Sequence, residues 1–483
     1  MDFLLRGGRD ATGAPLDVLI AGDRIAATGA AATVAAAPAA TTAGPQPQVV
    51  DMTGRVLLPA PAEAHAHLDK ALLGSGTALA DGTLSGALAA MRAMPMGRDD
   101  IARRARRAAA IALRHGFTAI RTHVDLGLGA SGDSRNDASD ASGSGSGGSA
   151  GARAGVEALA ELKRDLRGVL DLQIVALVRD PIVGADGSVP RERLRTALAS
   201  GCDVVGGAPW RSAAPDRSVR ELTAAAADAG LPIDLHLDET TDADTLTLTG
   251  YLWRVEQLGL GGRATASHCV SLGQQDPGRA RTVARALASA GVALVVLPQT
   301  NLGLQGRGLD TCVPRALAPI GLLEEAGVLV AAGGDNWRDP FNPVGRIDPM
   351  ETASLLVSAG HLAPARAYQL VSAAARELMG LPPAALRAGE VADLIAIAAA
   401  DVGEAVAGGS EERMVWHRGR LVADTRVHTA TALDAPAPAA LDAPAPAGPD
   451  APSPAGLDAP SPAGPWPGPD GGWPAPPQPP GAG

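Results

Sequence analysis

Eight short apolar runs, each separated from the next by a stretch with helical spacing, recur through the middle of this chain. The runs are Val56–Leu58, Ala119–Val124, Leu170–Val178, Val204–Ala208, Pro232–Leu237, Ala264–Val270, Ala293–Pro298 and Val328–Ala332. Between them lie helical patterns such as Asp100–His115, Val156–Leu166, Arg191–Ser200, Val219–Ala229, Gly278–Ala290 and Leu317–Ala326. Several of these stop at a glycine (Gly116, Gly201, Gly230, Gly291, Gly327), the residue that most readily takes the left-handed turn closing a helix. Strands that alternate with helices form a parallel sheet with right-handed crossovers. Eight such units predict an α/β fold, a (β/α)8 barrel, and no GxGxxG follows a first strand to favour an open doubly wound sheet.

Flanking segments have a different pattern. Leu16–Ile20 and Arg24–Thr28 read as a hairpin across Gly22-Asp23, and Val49–Leu58 holds two short strands around Thr53-Gly54. Leu394–Ile397, Met414–His417 and Leu421–Ala423 are further short strands near the other end. Chain ends commonly meet in space, so residues 1–58 and 383–428 are expected to build one small β-sandwich beside a barrel spanning 59–382. Within that span, residues 127–155 contain SGSGSGGS and read as a flexible insertion. Residues 429–483 repeat blocks such as LDAPAPAG, with too few large apolar residues to offset ordering entropy, and are expected to be a disordered Pro/Ala-rich tail.

Net charge is −11, which disfavours a nucleic-acid partner. No run of 18 apolar residues offers a membrane span, and no apolar leader opens the chain, so a cytoplasmic protein is expected. The three cysteines, Cys202, Cys269 and Cys312, are scattered and signal neither a disulfide framework nor a thiolate zinc site.

The chemistry lies in the histidines. In such a barrel catalytic residues sit at the C-terminal ends of the strands. His65 and His67, in AHAHLDK, follow the first run; His123 ends the second, His236 the fifth and His268 the sixth, and Asp335 follows the last. Residues i and i+2 of an extended strand share a face, so His65 and His67 project side by side. Imidazoles and a carboxylate converging on one mouth suit Zn²⁺ or Fe²⁺ with a position left for water, which such a metal converts to hydroxide near neutral pH. Glu239, three residues after His236, can reach the same mouth and move protons.

Seven separated blocks then match one pattern in order: HxHLD at His65–Asp69, RTHVD at Arg121–Asp125, DLQIVA at Asp171–Ala176, HLDE at His236–Glu239, TASH at Thr265–His268, LQGR at Leu304–Arg307 and GDNWRDPFNPVG at Gly334–Gly345. The chain resembles the amidohydrolase superfamily over roughly residues 15–425. It is most similar to the cytosine deaminases and their relatives acting on aminated pyrimidines and triazines. The resemblance implies that His65, His67, His236 and Asp335 bind one divalent metal, Zn²⁺ or Fe²⁺. Glu239 would protonate a ring nitrogen, and His268 and Asp335 would orient and deprotonate the attacking water. The binuclear branch needs a carboxylated lysine ending strand 4, where this chain has Gly206-Gly207-Ala208-Pro209. The substrate side would be formed by Arg179, Asn336, Gln305 and His123. Arg179 stands where the related deaminases carry a glutamine, and Asn336 where they often carry an aspartate. A guanidinium offers only donors, so Arg179 either selects a more oxygen-rich or anionic ring than cytosine or pairs with Asp180.

The expected function is therefore hydrolytic deamination of a free aminated heterocycle by metal-activated hydroxide. Cleavage of a cyclic amide or substituted exocyclic amine is the alternative, and a metal-binding scaffold without activity a weaker one. The expected partner is a small heterocycle, with no nucleic acid or membrane, and a homo-oligomer is compatible with the family.

Overall fold

The computed structural model describes residues 2–30, 34, 46–73, 83–94, 96–127, 147–179, 182–184 and 187–428, and the statements below concern these. Most of the expected insertion, the expected tail and Asp180 lie outside them. Sixteen strands form two eight-stranded sheets.

The first sheet is mixed and draws on both ends of the chain. Its strands are β1 (Phe3–Arg9), β2 (Pro15–Ala21), β3 (Arg24–Gly29), β4 (Gln48–Asp51), β5 (Arg55–Pro59), β14 (Leu394–Ala398), β15 (Arg413–His417) and β16 (Arg420–Thr425). The antiparallel pairing of β5 with β14 joins the two ends.

The second sheet is the barrel. Its strands run in sequence order, all parallel: β6 (Ala62–Ala66), β7 (Ala119–Asp125), β8 (Asp171–Val178), β9 (Val204–Gly207), β10 (Ile233–Leu237), β11 (Ala264–His268), β12 (Val292–Val296) and β13 (Val330–Ala332). A bridge between Ala66 and Asp335, with Asp335 N–H donating to the His65 carbonyl at 2.8 Å, ties the last strand's exit to the first strand.

The helix Pro277–Ala290 shows how the crossovers form. Asp276 caps its start, accepting from the Gly278 and Arg279 amides, proline holds the first position, and Gly291 ends it at φ 62°. Ala280, Val283, Ala284 and Leu287 recur on one face and are buried.

Two expectations need correction. The first barrel strand is Ala62–Ala66, and the run Val56–Leu58 belongs to β5 in the mixed sheet. That run is continuously apolar because both of its faces are buried. Val56 and Leu58 pack into the barrel-side core with Ile395 and Ile397, while Leu57 packs with Phe3, Val18, Leu394 and Trp416. Residues 147–155, assigned to a flexible insertion, instead open the helix Gly147–Asp165. Gly155 serves close packing there, since a Cβ on it would lie 2.8 Å from a Val124 methyl.

Among the described residues no helix is long and apolar enough to cross a membrane. Cys202 and Cys269 are buried and Cys312 is exposed. Burial pushes the Cys202 thiol up to about 12, far from the thiolate needed for reaction. Titration with a chromogenic disulfide is expected to find one fast thiol per native chain and three after unfolding. Three fast thiols in the native protein would contradict this packing.

Candidate active site

His65 is buried within β6, and His67 follows two residues later, just past the strand's end. The HLDK segment is clipped in place. The Leu68 amide donates to Thr122 Oγ1 at 2.9 Å, and Asp69 Oδ2 accepts from the Asp125 amide at 3.0 Å. Arg104 donates to the Asp69 and Ala71 carbonyls. His236 sits in β10, His268 ends β11, and Asp335 follows β13. All five are at most 3% exposed.

Four ligand atoms converge. His65 Nε2 lies 3.2 Å from His236 Nε2, which lies 3.4 Å from His67 Nε2. Asp335 Oδ1 is 3.2 Å from His67 Nε2 and 3.7 Å from His65 Nε2. Four ligands held about 2.0–2.1 Å from a tetrahedral zinc lie roughly 3.3–3.4 Å apart, close to three of these four distances. Burial holds the three imidazoles well below their ordinary pKa, leaving them neutral, the form that ligates. Neutral nitrogens packed this closely beside a buried carboxylate cannot all donate to one another, and a cation would satisfy their lone pairs.

Around this point stand the proton-handling groups. Glu239 Oε1 is 3.8 Å from His268 Nδ1. Burial pushes Glu239 up to about 7, against the pull of Arg179, which suits a group that both takes and gives protons near neutral pH. His268 Nδ1 is 3.1 Å from Asn301 Oδ1, and its buried Nε2 has no hydrogen-bond partner. The carbonyl oxygen can only accept, so Nδ1 carries the proton and Nε2 offers a lone pair. Asp238, His268 and Asp335 hold left-handed backbone at φ 51°, 71° and 61°. Such conformations cost about 1–3 kcal/mol each and concentrate at functional sites.

The expected substrate-side residues are placed less uniformly. Arg179 follows β8 at the mouth, ion-paired with Asp125 and 5.6 Å from the Phe341 ring centroid. A cavity of about 240 Å³ opens beside it, lined by Asp125, Arg179, Pro209, Arg211 and Ser212. Gln305 donates to the main-chain carbonyl of Glu239 at 3.0 Å, so its amide braces the proton carrier's own loop. Asn336 donates to Asp339 Oδ2 at 2.8 Å and is held by Thr300. His123 is fully enclosed, stacked on the His65 ring at 3.8 Å, and its ligand atom lies within 4.8 Å of those of His65 and His236.

Several residues escaped the sequence reading. The Lys70 amine, fully buried, lies 3.0 Å from His67 Nδ1. Glu63 accepts from the His65 and Gly334 amides at 3.0 Å, anchoring the loop that carries Asp335, and burial pushes it up to about 8. Gly333 leaves room for it, since a Cβ there would collide with Glu63 Oε1. Arg121 and Asp234 form a buried ion pair at 3.1 Å. A signal was available: Glu63, Arg121 and Asp234 each precede a histidine by two, the strand period.

A larger cavity, about 500 Å³, is lined by Arg121, Arg263, Thr265 and Met379 at the opposite end of the strands. None of the convergent ligands lines it, and the chemistry of this fold belongs at the strands' C-terminal ends.

The barrel and its ring of strand-end histidines define a metal-dependent hydrolase of carbon–nitrogen bonds. The chain belongs to the Amidohydrolase family, whose pattern matches residues 78–423. A pterin deaminase of Rhizobium rhizogenes is 30% identical over 379 residues, covering 77% of this chain and 82% of that protein. Among solved structures, N-isopropylammelide isopropylaminohydrolase from Burkholderia multivorans superimposes with a TM-score of 0.70 at 26% identity, covering 88% of this chain and 98% of its own. 5-Methylcytosine deaminase from Klebsiella pneumoniae, at 24% identity, shares the fold with a TM-score of 0.74, covering 89% of this chain and 100% of its own.

Proposed function

We propose that this enzyme holds one divalent metal, Zn²⁺ or Fe²⁺, on His65, His67, His236 and Asp335, and hydrolytically deaminates an aminated heterocycle. The observation that carries this reading is the close approach, 3.2–3.7 Å between neighbours, of those four candidate ligand atoms beside Glu239 and His268. A metal bound there supplies a Lewis acid that makes water a nucleophile at neutral pH. The chain's own residues do the rest. His268, its Nδ1 fixed on Asn301, presents Nε2 to hold the water and accept its proton. Glu239 delivers a proton to the ring nitrogen beside the carbon under attack, and the proton taken from water passes to the exocyclic amine, which leaves as ammonia while the oxygen becomes the ring carbonyl. Binuclear chemistry has no support, since β9 ends in Gly206-Gly207 and Lys163 pairs with Asp203.

For the substrate we favour a fused, oxygen-rich aminated ring of the pterin kind. The deaminase relative supports that reading, and so does the donor-only guanidinium of Arg179. Arg179 is backed by Asp125, which sets the guanidinium at the mouth. Release of a substituted exocyclic amine is the second reading, favoured by the similarity to the isopropylammelide enzyme.

The test is amine release from pterin, cytosine and N-isopropylammelide. Pterin is expected to be the best of the three and cytosine a poor substrate. Arg179→Gln should then lower kcat/KM on pterin by more than about tenfold and raise it on cytosine, with metal content unchanged. A donor-only site discriminates by leaving mismatched polar groups unpaired. Efficient cytosine deamination by wild type, unaltered in the variant, would show that Arg179 serves only its ion pair. Isopropylamine release exceeding ammonia release would favour the second reading.

A further inference from the structure

Beneath the four candidate ligand atoms a chain of hydrogen bonds joins five strands of the barrel. His65 Nδ1 lies 3.0 Å from Ser267 Oγ. Ser267 Oγ–H donates to Asp234 Oδ1 at 2.7 Å. Arg121 Nη1 donates to Asp234 Oδ2 at 3.1 Å and to Thr265 Oγ1 at 3.3 Å, and Arg121 Nε donates to Gln173 Oε1 at 3.1 Å. His65, Ser267 and Asp234 are fully buried and Arg121 is 3% exposed.

Every proton in this chain has one consistent direction. A histidine that ligates through Nε2 keeps its proton on Nδ1, and Nδ1–H then needs an acceptor. Ser267 accepts it, and can do so fully because its own proton is committed to Asp234. Asp234 lies in a dry interior with the Arg121 guanidinium 3.1 Å away to balance its charge. A pair serving only to hold the barrel together would need no hydroxyl between it and an imidazole.

We propose that Asp234, held by Arg121 and acting through Ser267, is a positioning residue for the metal centre: it fixes the tautomer and rotation of His65 and raises the electron density of its ligating nitrogen. The inference rests on the assignment of His65 as a ligand. Outer partners of this kind typically contribute 10–100-fold to metal affinity.

The experiment measures zinc affinity by competition with a chromogenic chelator in wild type, Ser267→Ala and Ser271→Ala. Ser271 is a buried serine whose hydroxyl makes no hydrogen bond, so it controls for loss of any buried hydroxyl. Ser267→Ala is expected to bind zinc about 10–100-fold more weakly, with a metal-free melting temperature no lower than that of Ser271→Ala. Its Co²⁺-loaded visible spectrum should shift, and that of Ser271→Ala should not. Zinc affinity within about twofold of wild type in Ser267→Ala, or an equal loss in Ser271→Ala, overturns the relay. Should Ser267→Ala not fold, Asp234→Asn carries the test: it keeps shape and an acceptor while removing the charge, and unchanged zinc affinity in it overturns the proposal. A wild-type chain that takes up no zinc would instead overturn the metal assignment beneath it.

Discussion

His236→Ala is expected to lose its metal and with it all measurable hydrolysis. His236 Nε2 is the meeting point of the cluster, 3.2 Å from one imidazole nitrogen and 3.4 Å from another. Its removal leaves three donors and an open side to water. Outer partners alone contribute up to about 100-fold in affinity, so loss of a direct ligand should exceed that. Wild type purified with added zinc should carry about one metal per chain by elemental analysis, and His236→Ala should carry almost none. Zinc should raise the melting temperature of wild type and not of the variant, because an ion that binds only the folded chain stabilises it by roughly 2.7 kcal/mol at a hundred times its dissociation constant. Two tightly held metals per wild-type chain would overturn the mononuclear reading. Full metal content in the variant would remove His236 from the ligand set.

Glu239→Gln should separate binding from chemistry. The carboxylate is 3.8 Å from His268 and is not among the convergent ligand atoms. The variant should therefore keep its metal, its melting temperature and a KM near that of wild type, while kcat falls by about 10²–10⁴-fold, the usual contribution of positioned proton transfer. Glutamine keeps the shape and loses the exchangeable acid. Burial has already moved this acid to about 7, where giving and taking a proton at neutral pH are both cheap. A variant with near-wild-type turnover would move the proton carrier elsewhere, and one that also loses metal would show that Glu239 holds the site together.

Much of this site was legible in the chain because two simple rules convert sequence into position. Strand residues alternate faces, and barrel chemistry collects at strand ends. Together they bring His65, His236, His268 and Asp335 to one mouth although they are far apart in sequence. The same alternation, carried two residues back, marks Glu63, Arg121 and Asp234 as a polar layer inside the barrel. Charged residues in a strand are ordinarily solvent-facing, so alternation alone does not tell an inward polar layer from an exposed face.

What the sequence by itself determined is therefore the alternation of strands and helices, the pairing of hairpins at the ends, and the types and order of residues at the mouth. The periods that encode these are local. The tertiary structure decided between the two places the chain allowed for one short apolar run, the first barrel strand or the flanking β unit of residues 1–58. Val56–Leu58 is drawn to the mixed sheet by β14, which supplies Leu394–Ala398 from the far end of the chain, and no periodicity within three residues can reveal a partner so distant. It also decided what the polar side chains touch. Arg179 found Asp125 on the neighbouring strand, Gln305 found the Glu239 carbonyl, and His123 went under His65. Each outcome follows from burial. A polar group enclosed by the fold pairs with whatever the packing brings within about 3 Å, and only the packed barrel determines what that is.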